Sequence, residues 1–567
     1  MSLPENIDHT ATPLPNRPSE VLIIGGGPVG SAFALDLARR GIDVLVLDPS
    51  AEVVFDGRAR GLSIRTMEHL RSWGVADEFH AASPIPAEWF GETVFRTSMI
   101  GRELWRAPQR EPGQQPLSAE RMHRLPQNRA TRLLRDAAAR AGARFGFGWA
   151  ATSFDQDADG ATVTAESASG ERRVLRAHYV VAADGSRSVV RRGAGIERDS
   201  TPLQGYQYSV IVEVPSLFEA VGMPPHVGNW IFNDELSDAF NPFEIDRYGM
   251  SVGPFPEPID LTDELIGREV ARRVGKSLPH RTVAVTTYRM QKRVARTFRL
   301  ERLLLAGDAA HVFPPTIGMN LNTGIADVGN GAWKLAAVLQ GWGGEALLDS
   351  YDVERRVAAH RIGDATLEAR AALDRRIGYL RGRPIPEGDD AASAAERDEI
   401  IATLQRIRTP FAGIDGVTLD QRYDHSGIVV SDGTPASSWD PGRYVPVWRP
   451  GHRIPHCVLS DGTALHATFG PGLTVLVRAD TETAAAAPIV AAAARAGAPL
   501  VTIRLDGVVE PDYGPPRRLS LVRPDQTLAW HADETPADPD ALIARITGSA
   551  HVVHLAPSPT ALAAVAG

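Results

Sequence analysis

The stretch Leu305-Ala306-Gly307-Asp308-Ala309-Ala310-His311-Val312-Phe313-Pro314-Pro315-Thr316-Ile317-Gly318-Met319-Asn320-Leu321-Asn322 decides how this chain is read. Arg302 to Ala306 is a short apolar run that reads as a buried strand delivering Gly307-Asp308. Pro314 and Pro315 stiffen the loop that follows. Ile317 to Asn322 then opens a segment of helical composition that continues through Ala332-Trp333-Lys334-Leu335. Free N–H groups at such a helix start favour negative charge.

Far upstream, Val21-Leu22-Ile23-Ile24 is a continuous apolar run, as expected of a parallel strand covered on both faces. Gly25-Gly26-Gly27-Pro28-Val29-Gly30 follows at once, then the helical stretch Ser31 to Arg40, then a second buried strand, Val44 to Leu47, ending in Asp48. The unit is βαβ with a dinucleotide fingerprint. Gly25 permits the tight turn, Gly27 lets the backbone approach a pyrophosphate, and Gly30 allows close helix–strand packing. Asp48 stands where an acid accepts hydrogen bonds from a ribose hydroxyl. Alone, the unit does not separate FAD from NAD.

A third motif lies between these two. Tyr179 to Ala183 is another short strand, followed by Asp184-Gly185-Ser186-Arg187-Ser188-Val189-Val190-Arg191. Asp184 can hold backbone amides of the turn, and Arg191 can pair with a carboxylate or phosphate. Asp-Gly alone is a common turn. The buried strand before it and the spacing of Ser188 and Arg191 favour a functional reading.

In this order and spacing the three motifs resemble those of the FAD-dependent aromatic hydroxylases, single-component monooxygenases built like para-hydroxybenzoate hydroxylase. The resemblance implies an α/β fold: a Rossmann-type FAD-binding domain with an inserted antiparallel β-sheet substrate domain and a C-terminal thioredoxin-like domain. It assigns Asp184 a place beside the FAD pyrophosphate and Asp308 the ribityl hydroxyls. Pro315 would sit in the loop beside the isoalloxazine ring. Backbone amides of the Gly318, Asn320, Leu321 and Asn322 segment would stabilise charge on the reduced flavin. The segment Gly57 to Glu68 resembles the one that carries an arginine toward the flavin, and Arg58 matches best. Gln127, opening the helix from Asn128, matches the family's flavin-contacting glutamine.

One position departs from the pattern. Gly-x-Gly-x-Asn is usual, whereas this chain reads Gly318-Met319-Asn320-Leu321-Asn322. Asparagine tolerates left-handed backbone, so the turn is expected to survive. The Asn320 side chain is expected to intrude where relatives keep open space. His311, a lone histidine at a strand end, is expected to be a hydrogen-bonded structural residue.

The domain reading follows. Residues 1–18 form a flexible leader, polar and Pro-rich without the apolar stretch of a signal peptide. Residues 19–195 and 290–360 form the FAD-binding core, and 196–289 the substrate-binding β-sheet domain. In the latter, His226, Asn229, Trp230 and Arg247 are the polar and aromatic wall candidates. Residues 361–415 are a charged helical linker, and 416–567 resemble the thioredoxin-like tail of phenol and polyketide hydroxylases. Dithiol chemistry needs two cysteines and Cys457 is the only one, so the tail's role is structural or at a subunit interface, with room for a homodimer.

Bulk numbers bound the function. At 567 residues more than one domain is expected. A net charge of −9 is mild for this length and gives no footprint for nucleic acid or an anionic membrane. One cysteine excludes an internal disulfide and a Cys-rich metal site, and fits a reducing cytoplasm. The alanine-rich Ala484 to Leu500, interrupted by Pro488 and Arg495, falls short of a membrane span.

One dinucleotide fingerprint is present, assigned to FAD, and there is no second for NAD(P)H. The resemblance implies that NADPH or NADH binds transiently, reduces the flavin and leaves. Oxygen then adds at C4a, and the flavin C4a-hydroperoxide hydroxylates a phenolic or polyketide-like small aromatic substrate. No protein acid or base is identified. The alternatives are a Baeyer–Villiger-type or other flavin oxidoreductase on the same core, or a non-catalytic flavin-binding protein. A flavin halogenase would be expected to show Trp-x-Trp-x-Ile-Pro, which this chain lacks.

Overall fold

The computed structural model describes residues 13–15, 17–108, 116–234, 236–407, 414–435, 437–506 and 516–550. The leader expected over residues 1–18 lies mostly outside them.

The apolar runs of the three motifs cannot face water on either side, and they do not. Ser19–Ile24, Val44–Asp48, Arg144–Phe147, Arg172–Ala182 and Leu303–Leu305 form one parallel array. Ser19–Ile24 lies at its centre, between Val44–Asp48 and Arg172–Ala182. Ile24 is opposite both Leu47 and Ala182, and Ala182 is opposite Leu305. All three motifs therefore leave the sheet at the same carboxyl edge. Open α/β sheets bind ligands at this edge. Pro28–Arg39 and Met319–Leu339 pack together there; all but three residues of the second helix are buried.

The inserted region divides in two. Tyr206–Glu213, Asn241–Glu244, Arg247–Phe255 and Arg281–Arg289 form the antiparallel sheet. The Trp230 run belongs elsewhere: Gly228–Asn233 pairs with Leu236–Ala239 on one side and runs parallel to Glu92–Arg96 on the other. Glu103–Pro108 closes this second sheet. One antiparallel sheet was the expectation. Recruitment of 92–108 from before the Gln127 helix is a long-range pairing that no local pattern announces.

Glu345–Leu380 is a single helix of 36 residues, and Ala391–Arg406 follows it. In the C-terminal region Leu473–Arg478, the helix Ala487–Arg495 and Leu500–Leu505 form a second βαβ unit. Leu519–Val522 and Leu528–Ala532 extend it as antiparallel strands, and Pro539–Ile546 lies against Ala487–Arg495. This region is not a detached module. Its apolar core, with Val475, Ile489 and Leu521, is continuous with Trp333, Ala337 and Leu347 of the central helices. Cys457 lies outside its strands, buried, and burial pushes its thiol pKa up to about 12.

Candidate cofactor and substrate cleft

The glycine loop is shaped by close backbone approach on two sides and open space on the third. Gly25 has φ +102°, and a β-carbon there would stand 2.4 Å from the Ala183 carbonyl oxygen. A β-carbon on Gly30 would stand 1.9 Å from the Gly25 carbonyl oxygen. Neither position accepts a side chain. Nothing lies within 4 Å of the β-carbon position of Gly27, which caps the helix Pro28–Arg39 and faces open space. Such an open helix start suits an anion.

Asp48 holds the loop itself. Its Oδ2 accepts from the Gly26 amide at 2.7 Å and its Oδ1 from the Ser50 amide at 2.8 Å. Behind it lies a clamp that sequence reading missed. Arg135, buried on the helix Gln127–Arg140, donates to the Gly26 carbonyl at 2.8 Å and to the Ala51 carbonyl at 2.8 Å, with Asp48 3.4 Å away. One arginine on an amphipathic helix gives no local signal of this role.

At the middle motif, Asp184 Oδ2 accepts from the Val189 amide at 2.8 Å, and Ser188 caps the same short helix through the Arg191 amide at 2.9 Å. The other oxygen, Asp184 Oδ1, is buried without a partner. Asp308 is half-buried and its carboxylate meets no protein donor among the described residues. Burial raises its pKa against the pull of His311, Arg58, Arg198 and Arg293. Arg191, Arg198 and Arg293 flank these two carboxylates without a salt bridge among the described residues. Arg198 donates to the carbonyls of Ser186, Asp308 and Ala309. Burial, then Arg191 and Arg293, bring its pKa down to about 9. Arg293 Nε is buried without a partner.

The loop after Asp308 corrects one expectation. Asn320 does not occupy a left-handed turn; the positive φ (+66°) is at Gly318, and Asn320 lies in the helix that starts at Met319. Nor does its side chain intrude into the cleft. It folds back on the loop, accepting from the Phe313 amide at 2.8 Å and donating to the Phe313 carbonyl at 2.9 Å. The amide thus supplies two hydrogen bonds that glycine could not, fixing the Pro314–Gly318 turn from within. Asn322 ties the helix start to the arginine segment: Oδ1 accepts from the Ser63 amide at 2.8 Å and Nδ2 donates to the Gly61 carbonyl at 3.0 Å. Pro315 lies in a short turn of helix, Leu321 is buried, and the Thr316 hydroxyl is buried without a partner.

Gln127 donates its backbone amide to the Ala59 carbonyl at 2.9 Å, while its half-buried side-chain amide has no partner among the described residues. Arg58 is exposed and pairs with Asp56 at 2.9 Å, although its charge is felt at Asp308. Arg60 points the other way, inward, with its guanidinium 4.9 Å over the Phe243 ring. Of the wall candidates, Asn229 is fully buried, its backbone amide donating to Asn241 at 2.6 Å and its side-chain oxygen without a partner, and Arg247 pairs with Glu244 at 2.8 Å. His226 contacts the Pro224 carbonyl at 3.1 Å, and Trp230 stacks with Phe232 in the second sheet.

His311 is structural, and it belongs to a network legible only in three dimensions. Its Nε2 lies 2.8 Å from Asp327 Oδ2, which also accepts from the Gly307 amide at 2.9 Å. Arg355 Nε donates to Asp327 Oδ1 at 2.8 Å. The ring stacks on Phe313, with centroids 5.1 Å apart. Asp327 and Arg355 therefore set the position of the turn that carries Asp308. Among the described residues no group of His, Cys, Asp or Glu could hold a metal ion, and no helix is long and apolar enough to cross a membrane.

An open helix start at Gly27, an unpartnered buried oxygen on Asp184, an unpaired carboxylate at Asp308 and a free amide on Gln127 line one edge of the sheet. These groups fit FAD, whose pyrophosphate, ribityl hydroxyls and ring amides supply the missing partners. The fold and this site define a flavoprotein monooxygenase. Comparison with known proteins agrees. Residues 18–366 match the FAD binding domain family, and 448–550 the aromatic-ring hydroxylase C-terminal family. The aklavinone 12-hydroxylase RdmE of Streptomyces purpurascens is 32% identical over 549 residues, covering 92% of this chain and 96% of that protein. Phenol 2-monooxygenase of a Pseudomonas species is 29% identical over 94% of each chain. The structure of an aklavinone-11 hydroxylase with FAD and aklavinone superposes with a TM-score of 0.78 at 29% identity, over 94% of this chain and all of that one. The chain belongs to the FAD-dependent aromatic-ring hydroxylases.

Proposed function

We propose that this protein consumes NAD(P)H and O2 to hydroxylate a phenolic or polyketide-like aromatic substrate. The observation that carries this reading is the set of unpartnered polar groups along the carboxyl edge of the parallel sheet. Gly27 and the helix behind it would receive the pyrophosphate, and Asp308 the ribityl hydroxyls. Asp184 and Gln127 would hold further polar atoms of the cofactor. Asp48 would reach the ribose with its remaining lone pairs. Arg58 would stand at the flavin's outer side, and the Gly318–Asn322 helix start beside its pyrimidine edge. FAD, once bound and reduced by NADPH or NADH, supplies the oxygen-transfer chemistry. The protein orients the ring and keeps water out.

Arg191, Arg198 and Arg293 support a transient anionic co-substrate. Three guanidiniums without carboxylate partners form a positive patch beside Asp184 and Asp308, suited to the phosphates of NAD(P)H. The substrate reading draws on the relatives, which include proteins named as aklavinone, tetracenomycin and phenol oxygenases. The tail, βαβ followed by two antiparallel strands and a helix, suits a thioredoxin-like fold whose role is structural. Its single buried thiol suits the cytoplasm, and a homodimer would use surfaces outside the cleft.

The test is NAD(P)H oxidation by the purified holoenzyme across phenols and polycyclic aromatics, with product mass recorded. A substrate-stimulated rate and a gain of one oxygen atom are expected. Stimulation with no oxygenated product, and all reducing equivalents recovered as hydrogen peroxide, would overturn the reading. Replacing Gln127 with alanine should weaken FAD binding by about tenfold while leaving the fold intact, in keeping with loss of a hydrogen bond of about 1 kcal/mol or more.

A further inference from the structure

The middle and third motifs leave adjacent strands and then part. Ala182 is opposite Leu305, and the Ala306 amide donates to the Ala182 carbonyl at 3.0 Å. Beyond that point the middle motif turns into the short helix Val189–Gly193, and the third into the single turn Gly307–Ala309. The glycine loop and the middle motif stay locked by close packing, with the β-carbon position of Gly25 3.0 Å from the Asp184 α-carbon. Asp327 anchors the third turn from the core through the Gly307 amide. A single side chain joins the middle turn to the third.

Arg198 lies across the gap. Its Nη1 donates to the Ser186 carbonyl at 3.0 Å, and its Nη2 donates to the Ala309 carbonyl at 2.8 Å and to the Asp308 carbonyl. Among the described residues no other hydrogen bond links residues 184–188 to 307–310. The guanidinium is a planar fork with fixed donor directions, so it holds its acceptors at a set separation. Its own backbone is fixed as well. Arg198 is opposite Ala295 in an antiparallel pair, whose Ala295 amide donates to the Ala310 carbonyl at 2.7 Å. The Arg296 amide donates to the Glu197 carbonyl at 2.9 Å.

The carbonyls that Arg198 binds belong to the turns whose carboxylates have no protein donor to meet. Asp184 Oδ1 is buried without a partner, and the Asp308 carboxylate has none among the described residues. Two groups that grip one ligand together act well only when their supports hold them in register. A partly desolvated guanidinium with carbonyl acceptors alone also carries charge that an anionic ligand offsets.

We propose that Arg198 is a positioning residue for FAD: it fixes the separation of the Asp184 and Asp308 turns, so that both carboxylates engage one cofactor without further rearrangement. The charge of Arg198 still adds to the patch with Arg191 and Arg293, while its hydrogen bonds go to the turns. This inference rests on the reading that FAD occupies the carboxyl edge, whatever reaction follows.

The test is FAD titration of apoprotein, followed by flavin fluorescence, on Arg198→Met, Arg198→Lys, Asp308→Asn and the double variant of Arg198→Met with Asp308→Asn. Arg198→Met is expected to raise the FAD Kd about tenfold while the apoprotein melts as wild type does. Arg198→Lys keeps the charge, reaches fewer carbonyls and should recover part of that loss. In the Asp308→Asn background the Arg198→Met change should weaken FAD binding by less than about threefold, because it acts through the turn that carries Asp308. Equal loss in both backgrounds, or unchanged FAD affinity in Arg198→Met, would overturn the inference. So would a lower melting temperature of the apoprotein, which would make Arg198 a brace of the fold. A raised KM for NAD(P)H with FAD affinity intact would overturn it too and leave Arg198 to the phosphate patch. The titration needs no turnover, so the two readings fail separately. The expected pattern without substrate-stimulated oxygenation keeps the positioning role and removes the monooxygenase; oxygenation with unchanged FAD affinity does the reverse.

Discussion

The helix Met319–Leu339 passes two clusters of buried charge that differ in kind. At its start lies the cleft, where the side chains of Asp308, Gln127 and Arg124 have no partner among the described residues, and that of Arg60 only a carbonyl and the Phe243 ring. Along its middle lies the junction with the C-terminal region, where every charge is answered. Glu354 accepts from Arg523 at 2.7 and 2.8 Å, from Lys334 at 2.7 Å, from Asn330 at 2.6 Å and from Ser426 at 2.6 Å. Glu68 accepts from Arg65 at 2.8 Å, from Ser118 at 2.6 Å and from Arg453 across the same junction. Complete pairing marks charge that belongs to the fold. Incomplete pairing marks charge that waits for a ligand. The junction also explains why the tail is fused to the core: Arg453 and Arg523 are buried in it, and neither can be solvated without undoing it.

The comparison breaks most visibly at the junction. Glu354→Ala leaves Lys334 buried without a counter-ion and Arg523 with Asp525 alone, and should cost about 3–5 kcal/mol. Urea unfolding should register this as a lower midpoint, with FAD affinity of the surviving folded fraction unchanged.

Acid sharpens the same contrast. Burial alone would raise the pKa of Glu354 and Glu68; Arg523 and Lys334 for the first, and Arg453 with Arg65 for the second, hold them below the ordinary value of 4.5. A depressed carboxyl contributes stability that is present above its unfolded value and lost as pH falls. Stability should therefore decline as pH drops below about 5, and the decline should be shallower in Glu354→Gln. A profile identical in that variant would show that Glu354 carries none of it.

A smaller effect belongs to Asn320. Restoring the family's glycine removes both hydrogen bonds to Phe313, so Asn320→Gly should lower stability by about 1–3 kcal/mol and should not raise turnover. Thermal unfolding and NAD(P)H oxidation measure the two. Smallest of all, Cys457 should resist iodoacetamide in the folded protein, because its buried thiol stays protonated; mass spectrometry of the treated enzyme checks this.

The legibility of these features follows the range of the interactions behind them. Val21 to Ile24, Gly25 and Gly30 sit within one βαβ unit, and local pattern suffices to place them, whereas the bonds by which Asp48 holds the Gly26 and Ser50 amides are not written in that pattern. The strands before Asp184 and Asp308 are equally plain as apolar runs ending in a turn. Arg135, Asp327 and Arg355 were invisible, because each acts on a backbone group or side chain far along the chain. Arg58 drew attention over Arg60 by its match to a motif, yet orientation across the ribbon, which only pairing with Leu125 fixes, turns Arg60 toward the substrate sheet. Asn320 was misread for the same reason: its partner, Phe313, is a backbone contact that composition does not disclose.

The most direct measurement is FAD titration of apoprotein, followed by thermal unfolding, on Asp308→Asn and Glu354→Gln side by side. Asp308→Asn should bind FAD at least about tenfold more weakly, losing charge-assisted hydrogen bonds of about 1.5–3 kcal/mol, with the apoprotein melting as wild type does. Glu354→Gln should melt lower and bind FAD normally. The reverse pattern, with Asp308→Asn unstable and still binding FAD at full strength, would contradict the assignment of unpaired charge to ligand and paired charge to fold.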